Sequence, residues 1–166
     1  RYYGFVTGGA LPVSVAANWM AATWDQNGGP SVMSPLAAKL EEVAGKWVLD
    51  ALDLPRESGF GFVTGATMAG FTALSAARNY MYKKLDYDVK ADGISNAPPL
   101  KFIMSDEIHP TNVIALQYMG YGKNELYMIP CDDQGRMIAS KMPPLDDHSI
   151  VLTQAGNVNS GSFDPF

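Results

Sequence analysis

Gly65-Ala66-Thr67 sets a glycine, a small side chain and a hydroxyl at the start of an alanine-rich helical stretch. The free N–H groups of such a first turn, and the positive end of the helix dipole, attract an anion. Thr67 adds a side-chain donor, and nothing bulky keeps a phosphate away. The same three residues can equally form a plain helix cap. The stretch has no Gly-Lys-Ser/Thr ending and no spaced glycine triplet, which argues against either standard nucleotide loop. His109 is the second candidate. It follows Asp106-Glu107 and precedes Pro110, and a flat imidazole at a strand-to-helix turn can stack on a heteroaromatic ring or simply be solvated beside two acids. The third is the small and amide-rich run 153–165. There Asn157 and Asn159 can donate to a ligand, or the run can be a connecting loop.

Other chemistries find less support. The two histidines, His109 and His148, have no metal-ligand spacing. No Gly-x-Ser-x-Gly elbow occurs. Cys131 is the single cysteine, so no disulfide can form within the chain. Asp132 and Asp133 follow it and should raise its pKa rather than activate it. The net charge of -5, with basic residues scattered, argues against a nucleic-acid partner. No apolar run is long enough to span a bilayer, and a lone cysteine fits a cytoplasmic location. The chain is 47% hydrophobic over 166 residues, enough to fill one ordinary core. It opens without Met and closes on Phe163-Asp164-Pro165-Phe166, so it is expected to be a fragment of something longer.

The elements that must position these residues follow from periodicity. Residues 11–24 and the stretch after Ser34-Pro35 read as helices, the second capped by Ser34 with Pro35 at its first position. Residues 59–65 are expected to form a short strand running into Gly65. A long helix should open at Ala66-Thr67 and end near Lys84. Strands are expected at 100–105, 125–130 and 150–153, and a helix over 110–119. Asp132-Asp133-Gln134-Gly135 reads as a turn. Alternation of strand and helix predicts an α/β fold with a mostly parallel sheet. Ligands of such sheets lie beyond the strands' carboxyl ends, which would bring Gly65-Thr67, His109 and the 153–162 loop to one crevice. Gly4-Phe5-Val6-Thr7-Gly8 recurs as Gly61-Phe62-Val63-Thr64-Gly65, a five-residue echo ascribed to chance.

Taken in order, these segments resemble the pyridoxal-phosphate-dependent decarboxylases of aromatic amino acids and glutamate. Gly65 to Leu74 is similar to their phosphate-binding turn and helix. Ser105-Asp106-Glu107-Ile108-His109-Pro110 is similar to the turn whose histidine stacks on the pyridine ring. Ala155-Gly156-Asn157 through Phe163-Asp164-Pro165 is similar to a segment beside the cofactor, where many relatives carry threonine at the position of Asn157. Phe5-Val6-Thr7 is similar to a stretch lining the substrate pocket, often from the partner subunit.

The resemblance implies an aminotransferase-like (fold type I) large domain. Residues 1–56 would lead into it and 57–166 would form its first part. It implies pyridoxal 5'-phosphate held by Gly65, Ala66 and Thr67, stacked by His109 and flanked by Asn157, with Phe5 and Thr7 touching substrate. It further implies a homodimer that decarboxylates an L-amino acid through an external aldimine. The family's Schiff-base lysine directly follows a histidine, and none of the eight lysines here does. That lysine, and the aspartate facing the pyridine nitrogen, are expected beyond residue 166, so these residues by themselves should not turn over. Two alternatives stay open: another lyase of the same fold acting on a phosphorylated amino alcohol, and a non-catalytic phosphate-binding module.

Overall fold

A computed structural model describes residues 8–165. They divide into two compact units, with the boundary between Phe62 and Val63.

The first unit is helical. Helix α1 (Pro12–Trp24) starts at a proline and buries none of its residues, leaving Val13, Trp19 and Trp24 exposed. Helix α2 (Pro35–Ala51) is capped by Ser34, whose Oγ accepts the Ala37 N–H at 3.3 Å, with Pro35 in the first turn where its missing N–H costs nothing. Only Gly45 and Leu49 of α2 are buried. Gly45 is needed for packing: a Cβ there would come within 2.1 Å of the Phe60 ring. Glu42 sits between Lys39 and Lys46, and hydrogen bonds from these two ammonium groups hold its carboxyl down at about 2.

The second unit carries the sheet. Its elements are α3 (Ala66–Lys84), a single turn α4 (Val89–Asp92), β1 (Lys101–Ser105), α5 (Pro110–Tyr118), β2 (Leu126–Ile129) and β3 (Ser149–Leu152). The strand order is β2-β1-β3 and both pairings are parallel, Phe102 opposite Leu126 and Ile150. As the central strand, β1 is covered on both faces, which is why Phe102-Ile103-Met104 is an unbroken apolar run. Alternate residues go to opposite sides. Phe102 and Met104 pack with Leu74 and Tyr82 of α3 and Leu116 of α5, while Ile103 packs with Ile129 and Met137. Full burial of each such side chain contributes roughly 1.5–3 kcal/mol.

Helices α3 and α5 lie side by side in the same sense. Gly70 near the start of α3 faces Asn112 in the first turn of α5, and Tyr82 near the end of α3 reaches Tyr121 just past α5, their hydroxyls 2.9 Å apart. The Tyr121 ring also rests on Phe102, centroids 4.5 Å apart. Burial, and then the Tyr82 hydroxyl, pushes the Tyr121 phenol above its ordinary range. Parallel packing of this kind puts both helix starts at the same end, where the strands finish.

The strands at 101–105, 126–129 and 149–152, and helices α1, α2, α3 and α5, form within a residue or two of the expected ranges. The strand expected over 59–65 does not form; that stretch is irregular. Three glycines in seven residues weaken a strand, and no neighbouring strand pairs with it among the described residues. The loop at 86–99 gains α4, capped by Asp88 Oδ1 from Lys90 N–H at 3.0 Å.

Candidate functional site

Gly65 is the N-cap of α3 and brings no side chain to it, so the first-turn N–H groups receive no side-chain cap. Helix α1 likewise lacks one, whereas α2, α4 and α5 each begin with a side-chain cap. The start of α3 opens instead onto a cavity of about 510 Å³ lined by Thr64, Gly65, Ala66, Thr67, Phe71 and Tyr118. A Cβ on Gly65 would meet nothing within 4 Å, so the approach to those N–H groups is open. Uncapped amides at the positive end of a 19-residue helix suit an anion.

His109 is the N-cap of α5. Its Nδ1 accepts the Thr111 N–H at 3.3 Å and lies 2.8 Å from Thr111 Oγ1. The ring is therefore held by its own helix rather than free in solvent. Pro110 at the first helical position fixes the entry of the chain. The imidazole lines a cleft of about 400 Å³ together with Glu107, Asn112, Thr153, Gln154, Gly156 and Val158. The amino end of α3 and His109 thus open onto two neighbouring cavities rather than one. Asn112, from the second, sits against Gly70, which lies between Met68 and Phe71 of the first.

Asn157 lies between Gly156 and Val158, which line the same cleft, but is itself 5% exposed, and its amide is engaged inside the protein. Nδ2 donates to Glu107 Oε2 at 2.8 Å, and Oδ1 accepts the N–H groups of Asn159 at 2.8 Å and Ser160 at 3.2 Å. Asp164 is buried as well. Its two carboxylate oxygens accept the Met137 and Gln154 N–H groups, each at 2.7 Å, tying the segment after β2 to both ends of the last loop. Asp132 Oδ1 closes its turn by accepting from Gln134 and Arg136. Cys131 is half-buried, and its thiol is pushed up first by burial and then by the Asp106 carboxylate. The expected direction holds, but Asp106 supplies the charge rather than its sequence neighbours. Phe5 and Thr7 lie outside the described residues.

Sequence reasoning did not find the roles of Asn112, Tyr118, Glu107 and Asp164. For Asp164, the run Phe-Asp-Pro after a small-residue loop was a usable signal, since an acid there can gather backbone N–H groups. The others depend on contacts between segments far apart in the chain and left no local trace.

Among the described residues no group of three His, Cys, Asp or Glu comes together as a metal site, and no described helix is long and apolar enough to cross a membrane.

A parallel sheet flanked by helices is the fold this chain shares with the solved structures it matches. The chain superposes on mouse CSAD in its apo form with a TM-score of 0.82, at 22% identity, covering 99% of this chain and 35% of that one. It superposes on Oryza sativa TDC with PLP with a TM-score of 0.58, at 24% identity, covering 72% of this chain and 27% of that one. In sequence it is 25% identical to the acidic amino acid decarboxylase GADL1 of Xenopus tropicalis, over 99% of this chain and 33% of that protein. No family model matches. The chain therefore spans about a third of the length of the relatives it matches, and it shares their mixed α/β fold.

Proposed function

We propose that these residues are the phosphate- and ring-holding part of a pyridoxal-phosphate-dependent decarboxylase acting on an amino acid. The observation that carries the reading is the uncapped start of α3 beside the self-capped start of α5. One helix end leaves its donors open to an anion, and the next presents a flat ring from the same edge of the sheet. The similarity to an acidic amino acid decarboxylase, and to a solved decarboxylase-fold protein that holds PLP, points the same way.

The residues fit such a group. The two cavities, about 510 and 400 Å³, are within the usual range for cofactor sites. Gly65 and Ala66 leave room for phosphate oxygens at the N–H groups of α3, and the Thr67 hydroxyl adds a donor. His109, with Nδ1 engaged by Thr111, offers a ring face of fixed orientation. Asn157 shapes the cleft wall through its loop, its amide being engaged within the protein. When bound, pyridoxal phosphate supplies an electron sink for the pair left by a departing α-carboxylate. This chain's own part is to bind, orient and stack. The Schiff-base lysine and the acid at the pyridine nitrogen would come from elsewhere in the protein, and Phe5 and Thr7 from the substrate side.

Exposed Val13, Trp19, Trp24, Leu40 and Trp47 on α1 and α2 leave an apolar surface, which supports a homodimer in which a second copy covers it. The single cysteine fits a cytoplasmic location.

The test is spectroscopic. The full-length protein mixed with pyridoxal phosphate should develop a visible band of covalently held cofactor that borohydride removes, and should release carbon dioxide from one or more L-amino acids. Absence of the band would defeat the reading. A band with carbon–carbon cleavage of a phosphorylated amino alcohol, and no carbon dioxide, would replace decarboxylation with the other lyase chemistry.

A further inference from the structure

Three loops leave the carboxyl ends of the three parallel strands, and they are joined at one point. The loop after β1 supplies Glu107, the turn after β2 supplies Gln134 and Gly135, and the loop after β3 supplies Asn157 and Ser160. Asn157 Nδ2 donates to Glu107 Oε2 across fifty residues of chain, and the Ser160 hydroxyl donates to the Gln134 carbonyl at 2.5 Å. Gly135 lies against both side chains. With a φ of 73° it occupies the left-handed region, and a Cβ there would fall 2.3 Å from Asn157 Nδ2 and 2.9 Å from Glu107 Oε2. Glycine answers both demands, the backbone conformation and the space. The buried amide of Asn157 is satisfied on both its atoms, so the junction has one register.

We propose that Glu107 and Asn157, seated on Gly135, are positioning residues: their hydrogen bond sets the distance between the loop after β3 and the turn that presents His109. Glu107 is two residues before His109, and Asn157 lies between Gly156 and Val158 of the opposite cleft wall. The bond therefore ties together two segments that line the cleft, one ending at His109 and the other running over residues 153–158. Its length fixes how far Thr153–Val158 stand from the imidazole, and hence the width available to a flat ring stacked there. This inference rests on the proposed function for what fills the cleft, but the junction itself can be read without cofactor.

The experiment uses the full-length protein in three forms: wild type, Asn157→Asp, and the exchanged pair Glu107→Gln with Asn157→Asp. In the single variant two carboxylates meet where a hydrogen bond was, and like charges at that distance repel. In the exchanged pair the Gln amide donates to the Asp carboxylate, restoring the bond with its polarity reversed. The readouts are the imidazole NMR resonances of His109, the melting temperature of the cofactor-free protein, and the dissociation constant for pyridoxal phosphate. The single variant should shift the His109 resonances, melt lower and bind the cofactor about tenfold more weakly, the factor carried by one ordinary hydrogen bond. The exchanged pair should return all three toward wild type. A single variant that melts lower while the His109 resonances and cofactor affinity stay as in wild type would make the junction merely structural and overturn the proposal. An exchanged pair no better than the single variant would overturn it too. Should the wild type bind no pyridoxal phosphate, the proposed function fails separately, and the His109 resonances and melting temperatures of the same three proteins still decide the junction.

Discussion

Helices α3 and α5 start at the same edge of the sheet and pack together, yet they treat their first turns in opposite ways. At α3 the cap residue is Gly65, and the first-turn N–H groups face a cavity without a side-chain partner. At α5 the cap residue is His109, whose Nδ1 takes the Thr111 N–H. A glycine at the cap position forgoes only about 0.5 kcal/mol of stability relative to a side-chain cap. A histidine used as a cap loses conformational freedom and gains a fixed ring plane. The contrast separates two arrangements that the proposed function uses differently: the first-turn donors of α3 stay open to the cavity, and one donor of α5 holds an imidazole.

The sharpest way to break this contrast is to give α3 the cap it lacks. Gly65 has a φ of 160°, extended backbone open to any residue, and a Cβ has room. Gly65→Asp should stabilise the cofactor-free protein by roughly 0.5 kcal/mol, as an N-cap acid at the positive end of the helix. The same carboxylate would occupy the proposed anion site and repel a phosphate, so pyridoxal phosphate should bind at least about a hundredfold more weakly. Calorimetric melting and cofactor titration of one protein measure both. A variant that melts higher with cofactor affinity intact would show that the α3 start serves only as a helix end.

Next in size is the contact that keeps the two starts adjacent. A Cβ at Gly70 would lie 3.1 Å from Asn112 Oδ1. Gly70→Leu should force the helices apart and cost about 2 kcal/mol by overpacking, seen in denaturant unfolding. Gly70→Ala should be close to neutral, since Asn112 need give only a few tenths of an ångström and alanine favours the helix by about 1 kcal/mol. Equal losses for the two variants would mean the helices do not meet there.

Removing the ring from α5 should cost less. His109→Ala deletes a cap, about 0.5–1 kcal/mol of stability, and a stacking face, about tenfold in cofactor affinity. Under the proposed function, turnover of the full-length protein should slow. Unchanged cofactor retention would place the imidazole away from the ring. Thr111→Val keeps the histidine but removes the hydroxyl beside Nδ1. A smaller loss of affinity in that variant would separate having the ring from holding it in plane.

Most of this architecture was legible because it is local. Pro12, the pair Ser34-Pro35 and Gly120 punctuate helices by chemistry that acts within one turn, and Phe102-Ile103-Met104 announces a strand buried on both faces. The stretch 59–65 misled because its apolar residues suggest a strand, while a strand exists only if another pairs with it. At the site, residue types could mark Gly65-Ala66-Thr67 and His109, but not that the histidine caps its own helix. Asn157 shows the same limit. An amide in a polar loop looks free to meet a ligand, and only the fold brings Glu107, fifty residues earlier, to accept its hydrogen bond.

The smallest expected effect lies at the opposite edge of the sheet, where neither helix start should respond. Lys101, the first residue of β1, pairs with Asp146 in the loop before β3. The hydrogen bond from Lys101, then those from Ser149 and the His148 N–H, hold the Asp146 carboxyl at about 2, below its ordinary 3.8. A carboxyl depressed in the folded state stabilises the fold above the unfolded pKa, and this contribution disappears as pH falls through the folded one. The contribution is thus present above about pH 4 and gone near pH 2. Both groups are solvated, so its size should be small. Asp146→Asn should flatten the stability profile across that acid window and leave cofactor affinity at neutral pH as in wild type. Pyridoxal phosphate binding that weakened alongside would mean that the strand register at the amino edge reaches the helix starts at the carboxyl edge, and that the two edges do not act independently.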